Sequence, residues 1–447
     1  MVRSKFLPAL AAAVVVLAAC STASTPSPAE SAAPSEAPSA SAAVQPVNLV
    51  LRYCWSGEGE VKAMEQIIQS WNQAHPEMQV RGISGSIKAE HIAAAVAGGA
   101  PPDMVIFCNN SPVAAFAHDG VILSMKPLLD KIGADTSKII PASLDWMTYK
   151  GDLYGLPFLQ DDWGFYWNTD AFKEVGLDPT KPPKTLDELW DYAKKLTKYN
   201  PDGSIARAGF IPDYPGKNLS ELYRLFGCEL YDAATQKLTA NSPACVAWFD
   251  WYKKWHDEYD KNGEMTNLVA SKGSEDEDLF YTGKVAMGLF GEWLPGAAYA
   301  PNFAPNLNYE TAGFPTNIAE DYGAGYINGN AFFIPKGAKD PEAAAKFGMY
   351  LMTDDPSRTM ALQNASVPQL TSLVADPQLA GVPHFKTFLD IANHPKTWTD
   401  PLISVWQQYR DGLESALDSV LSGDKTSQQA LDELVNTVQP ELDANGP

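Results

Sequence analysis

Histidine and cysteine are scarce: six histidines and five cysteines among 447 residues. No CxxC or HxxxH spacing occurs and the histidines are scattered, so a zinc site has no ligand set to build on. No Walker lysine loop, GxSxG, HExxH or GxGxxG is present either, which leaves nucleotide, serine-hydrolase and zinc-protease chemistry without support, and no cofactor is implied. Positive charge is also short, 33 Lys and Arg against 54 Asp and Glu, for a net charge of −21. Nucleic acid and anionic membrane surfaces would repel such a chain. Its ordinary benefit is solubility. Beyond the first twenty residues no apolar run approaches bilayer length, and no internal repeat is visible.

The N-terminus is informative. Arg3 and Lys5 precede an apolar run from Phe6 to Ala19 that is too short to span a bilayer and is flanked like an export signal. It ends in Leu17-Ala18-Ala19-Cys20, which resembles a bacterial lipobox, so 1–19 reads as a lipoprotein signal peptide and Cys20 as the lipidated residue. Residues 21–43 are almost wholly Ser, Ala, Pro and Thr, a composition that cannot bury enough apolar surface to fold. With Cys20 they make a tether over 20–44. The expected location is extracytoplasmic, held to the cell membrane by the lipid, and the expected state is a monomer.

Four other cysteines, Cys54, Cys108, Cys228 and Cys245, form an even set in an exported chain, with three possible pairings. Cys228 and Cys245 bracket a short polar segment with a turn-like Asp232-Ala233-Ala234-Thr235, and pair first. That leaves Cys54 with Cys108, each at the end of an apolar run that reads as a strand.

The order of elements points to α/β. Val47, Leu49, Leu51 and Tyr53 alternate on one strand face, and Met64, Ile67, Ile68 and Trp71 follow at helical spacing. A strand near 78–83, a small-residue helix at 89–97 and the buried run Met104 to Phe107 complete a β-loop-α-β-α-β order, the mark of a mostly parallel sheet with helices on its faces. Ligands of such sheets sit beyond the carboxyl ends of the strands, which puts the loops 55–60 and 109–112 where a ligand would be. Thr185-Leu186-Asp187-Glu188 is a capping box for a helix. Strand patterns recur at 285–290 and 326–334, Asp340-Pro341 opens another helix, and two helices close the chain, with Leu413, Leu417 and Val420 on one and Leu431, Leu434 and Val438 on the other.

Gln160 to Phe172, QDDWGFYWNTDAF, packs two adjacent acids and five aromatic rings into thirteen residues. Aromatic faces stack on sugar rings and carboxylates take their hydroxyl hydrogens, a chemistry that glycosidases and sugar-binding proteins share. Within it Gly164-Phe165-Tyr166-Trp167-Asn168 resembles the signature of family 1 extracellular solute-binding proteins, the maltose-binding-protein-like receptors of ABC importers. Trp167 stands where that signature has tyrosine, and Leu159 where it prefers a small or polar residue. The segments PPKTLDELWDYAKKLTK, FYTGKVAMGLFGEWLPGAA, NGNAFFIPKGAKDPEAAAKFGMYLMTDDPSR and VPQLTS are similar to the family's counterparts in the family's order, so the resemblance runs from Val47 to the C-terminus.

The resemblance implies a two-lobed, type II periplasmic-binding-protein-like fold, each lobe a mostly parallel sheet flanked by helices, joined by a multi-strand hinge around a ligand cleft. The lobes are expected at 45–158 with 315–353 and at 159–314 with 354–447. It also implies a sugar ligand, ABC permease subunits as partners, and cleft residues: Glu58, Asn110 and Ser111 in the two strand-end loops, Asp161 seven residues before Asn168, Trp293 in a G-x-W segment, and more loosely Trp406 and Tyr409; Trp163 and Trp167 alternate with Gly164 and Tyr166 on a strand, one face core and the other cleft, which adds Trp163.

Bland readings stand beside these. Trp71, Trp190, Trp248 and Trp251 lie on helical segments and read as core. Glu58 caps the following helix as readily as it meets a ligand. Asp161 and Asp162 alone would read as a solvated loop. A glycosidase is the competing function, as is a receptor for polyamine or glycerol phosphate; a purely structural wall protein would need no hinge. Adjacent acids on an extended strand point to opposite faces, so Asp161 and Asp162 cannot form a glycosidase's facing pair.

Overall fold

A computed structural model describes residues 46–446 apart from Lys261. The export signal, Cys20 and the tether lie outside the described residues. The strands that build the site are β1 (Val47–Tyr53), β2 (Met78–Ser84), β3 (Met104–Phe107), β4 (Leu156–Asn168), β5 (Ile205–Phe210), β6 (Val285–Gly291), β7 (Tyr309–Ala312), β8 (Ile327–Phe333) and β9 (Val367–Pro368). The helices used below are α1 (Glu58–Ala74), α2 (Pro243–Tyr259), α3 (Glu264–Ala270), α4 (Asp354–Asn364), α5 (Trp406–Leu421) and α6 (Ser427–Asn445).

One continuous sheet carries two lobes, in the order β2-β1-β3-β8-β4-β6-β5, with β7 and β9 also on β4. The strands proper to each lobe pair in parallel: β1 with β2 and β3, and β6 with β5. Every strand on β4 is antiparallel to it. β4 is long enough to serve both lobes. Leu156 to Asp162 pairs with β8 and β9, and Trp163 to Asn168 with β6 and β7. Its near-complete burial explains why its sequence reads as a continuous apolar and aromatic run. Gly164 is required there: a Cβ would stand 2.9 Å from Phe388 and 3.2 Å from the Ala312 carbonyl, forcing the helix Phe385–Ala392 off the strand.

The local expectations hold with one shift. Leu49, Leu51 and Tyr53 are buried and the residues between them are not, as their alternation requires. Thr185 accepts from the Glu188 N–H, but the Glu188 carboxylate takes the Lys184 N–H instead of closing the box on Thr185. Both disulfides form as paired in the sequence. Cys54–Cys108, with Cα atoms 5.7 Å apart, joins the ends of neighbouring β1 and β3, and Cys228–Cys245, at 4.7 Å, ties the start of α2 to the loop before it.

Thr316 bonds to the carbonyls of Lys184 and Leu225, which puts 315–326 with the C-terminal lobe. α4 packs on α1, which puts 354–364 with the N-terminal lobe. Having crossed on β4, the chain crosses again on β8 and on β9. Among the described residues no helix is long and apolar enough to cross a membrane.

Candidate functional site

The crossing of β4 sets the geometry, because alternate residues of a strand face opposite ways. Asp161 and Trp163 face one side, Gln160 and Asp162 the other. Asp161 sits opposite Asn328 in the ladder, and the Asn330 amide donates both to its carboxylate, at 2.8 Å, and to the Cys108 carbonyl, at 3.0 Å. The disulfide at the end of β3 and the acid at the hinge are thus held by one side chain. Trp163 is half-buried, and its ring meets Trp293 edge to face, centroids 5.0 Å apart at 88°. Gly291 makes this possible, since a Cβ there would lie 1.8 Å from the Trp293 ring.

On the other face Asp162 is fully buried and accepts from the Gln160 amide at 2.7 Å, while Gln160 accepts from Gln369 at 3.2 Å. Glu292, also fully buried, accepts from the Asp162 N–H at 2.6 Å and the Ser366 hydroxyl at 2.8 Å. Neither these two nor Asp161 has a Lys or Arg partner among the described residues. Burial pushes the Asp161 carboxyl well up, with the Asp162 charge beside it adding to the effect. Burial holds Asp162 up at about 8, against the Gln160 hydrogen bond, and raises Glu292 together with the charges of Asp161 and Asp162. Burial thus opposes ionisation of all three carboxyls, and a carboxyl that holds its proton can donate as well as accept.

Several groups along this crossing have capacity left over. The Asp162 Oδ2, Asn328 Oδ1, Asn330 Oδ1 and Gln369 Oε1 atoms accept no bond among the described residues, and the enclosed Trp163 indole N–H finds no acceptor. The Asn328 and Asn330 acceptors beside Asp161, on the face that carries the crossed rings, suit a ligand with many hydroxyls and a flat apolar face.

The expected site residues divide. Asp161, Trp163 and Trp293 come together at the hinge. Glu58 is exposed in the first turn of α1; the inward-turned acid is Glu60, which accepts from the Gly57 N–H and the Tyr299 hydroxyl. Asn110 is buried with its amide toward the Trp146 carbonyl, and the Ser111 hydroxyl donates to Asn109, so both shape the loop after β3. Tyr409 corrects an expectation. It is fully buried, its hydroxyl donates to the Leu230 carbonyl and accepts from the Ala240 N–H, and the ring is core. Trp406 is likewise enclosed, 1% exposed. Both lie on the stripe that α5 turns inward with Leu413, Leu417 and Val420. Asp162, Glu292, Asn328, Asn330 and Gln369 were not expected. Only Asp162 carried a signal, its adjacency to Asp161. Among the described residues no group of three or more His, Cys, Asp or Glu is placed to hold a metal.

Two lobes on one sheet, with a hinge that presents rings and carboxyls, are the architecture of a solute-binding protein. The profile of the bacterial extracellular solute-binding protein family matches residues 66–387. The chain belongs to that family. It is 23% identical over 422 residues to an uncharacterized ABC transporter extracellular-binding protein of Pyrococcus horikoshii, covering 92% of this chain and 91% of the relative. It is 26% identical over 415 residues to the sn-glycerol-3-phosphate-binding periplasmic protein of Salmonella typhimurium, covering 85% and 90%. The structure of CpMnBP1 with mannobiose bound superposes with a TM-score of 0.80 at 28% identity, over 88% of this chain and 99% of that one.

Proposed function

We propose that the protein captures a sugar or short oligosaccharide between its lobes and hands it to the membrane subunits of an ABC importer. The observation that carries this reading is the crossed Trp163–Trp293 pair beside Asp161 at the hinge. A stacking face and a hydroxyl acceptor stand together there, and the likeness to a mannobiose-bound protein supports the same ligand class. The glycerol phosphate relative offers a second ligand chemistry, but an anion would meet Asp161, Asp162 and Glu292 with no cation paired to them. The protein binds without turnover, and it is tethered through Cys20, so Cys20→Ala should release it from the membrane fraction while leaving ligand affinity unchanged.

The test is a thermal-shift panel of mannobiose, maltose, other mono- and oligosaccharides, spermidine and glycerol 3-phosphate. A ligand at a hundred times its dissociation constant adds about 2.7 kcal/mol, a readily measured rise. Stabilisation by at least one saccharide, with no release of reducing ends on long incubation, is expected. A rise with glycerol 3-phosphate or spermidine alone would overturn the sugar reading.

A further inference from the structure

The C-terminal lobe contains a cavity of about 300 Å³ that shares no residue with the hinge cluster. It lies between the loop that follows β5, one face of α2, and α3. Ile211, Tyr252, Trp255, Met265 and Val269 give it apolar and aromatic walls, with Tyr252 and Trp255 three apart on the same helical face. Into this wall are set polar groups that the protein does not satisfy. The Tyr252 hydroxyl and the Trp255 indole N–H belong to side chains only 2% and 1% exposed, and neither has a partner among the described residues. The Asp213 Oδ1 atom is enclosed and equally without one.

The surrounding cations, Lys217 and His256, act on Asp213 through space without a hydrogen bond to its Oδ1. Lys217 is itself bonded to Asp418 at 2.6 Å. Asp260, which also lines the cavity, uses both oxygens on Thr266, at 2.9 and 2.6 Å, and so holds the start of α3 in place. His256 stands 3.6 Å from the Asp257 carboxylate. Asp213 is therefore a carboxylate in an apolar, ring-lined cavity with no counter-ion of its own. Burial raises its pKa to about 6, and an ammonium beside it would favour the ionised form.

We propose that this cavity is a second ligand site, distinct from the interlobe cleft, for a small organic ammonium with an apolar, ring-sized body. The ammonium pairs with Asp213, the body lies against Tyr252 and Trp255, and the volume matches the lower end of small-molecule sites. Aromatic faces add attraction for the cation itself. A neutral molecule of the same shape would leave the carboxylate unpaired, and an anion would be repelled by it.

Calorimetric titration of the whole chain at neutral pH with 2-phenylethylamine, 2-phenylethanol and phenylacetate tests this. The amine should bind at least about tenfold more tightly than the alcohol, and phenylacetate not at all. Asp213→Asn should bring the amine down to the level of the alcohol, and Val269→Phe, which fills the cavity without touching the charge, should abolish binding of both. A saccharide that raises the melting temperature should do so equally in wild type and variants. Equal affinity for amine and alcohol, no binding of the amine at millimolar concentration, or displacement of the amine by the cleft ligand would overturn the proposal. Should Asp213→Asn fail to fold, the wild-type comparison and Val269→Phe decide it.

Discussion

Replacing Trp293 by Ala removes a half-buried ring that meets Trp163 edge to face and that the proposed function assigns to stacking on the ligand. If a sugar takes about 60 Å² of that ring face out of water, transfer at roughly 25 cal/mol per Å² gives about 1.5 kcal/mol. The specific geometry of the contact widens this to about 1 to 3 kcal/mol, a five- to 150-fold loss of affinity. The protein should still fold. Loss of the Trp163 contact costs on the order of 0.5 to 1.5 kcal/mol, a melting-temperature drop of a few degrees. Calorimetric titration with the stabilising saccharide, paired with a ligand-free melt, measures both. Wild-type affinity in Trp293→Ala, or loss of its melting transition, would show that the ring serves packing and not binding, and the stacking argument would fail.

Asp161→Asn should weaken binding by about 0.5 to 1.5 kcal/mol and Asp161→Ala by about 1 to 3, since a carboxyl partner is lost from a desolvated hydroxyl; unchanged titrations for both variants would exclude Asp161 from the site. The raised carboxyls make stability depend on pH. Asp162 titrates near 4 when unfolded and at about 8 when folded, so the folded form binds the extra proton, and stability falls as pH rises from about 4 to about 8. Asp162→Asn should flatten that slope in ligand-free melts, and an unaltered slope would place the cause elsewhere. Reduction should destabilise by about 4 kcal/mol through the 54-residue Cys54–Cys108 span and about 3 through the 17-residue Cys228–Cys245 span. Melts of single Cys-pair-to-Ser variants separate the two, and a Cys54/Cys108 variant as stable as wild type would refute the estimate.

Local order was legible because local rules govern it. The alternation of Leu49, Leu51 and Tyr53, the cap at Thr185 and the helix start at Asp340 are decided by neighbours in the chain, and each stands in the structure. The hinge is decided by partners far apart. Asn330 reaches Asp161 across 169 positions and Gln369 reaches Gln160 across 209, and no periodicity reports such pairs. Glu292 and Trp293 adjoin in sequence, yet one is buried beneath the crossing and the other half-open beside it, because consecutive residues leaving β6 turn opposite ways. Tyr409 misled for another reason. The stripe it shares with Leu413 and Leu417 marks a core position, and an aromatic on such a stripe is more simply explained by packing than by a ligand.

β4 belongs to both lobes, and this bears on how the protein reaches its place of work. The N-terminal lobe needs β8 and β9 as sheet partners and α4 against α1, so it cannot be completed until about residue 370 is available. A shorter nascent chain would carry Leu156 to Asp162 without β8 or β9 beside it, an edge suited to aggregation. A chain that must leave the cell before acting gains from this delay. Contacts of such long range form late, and until they do the polypeptide stays loose enough to be threaded through a membrane channel.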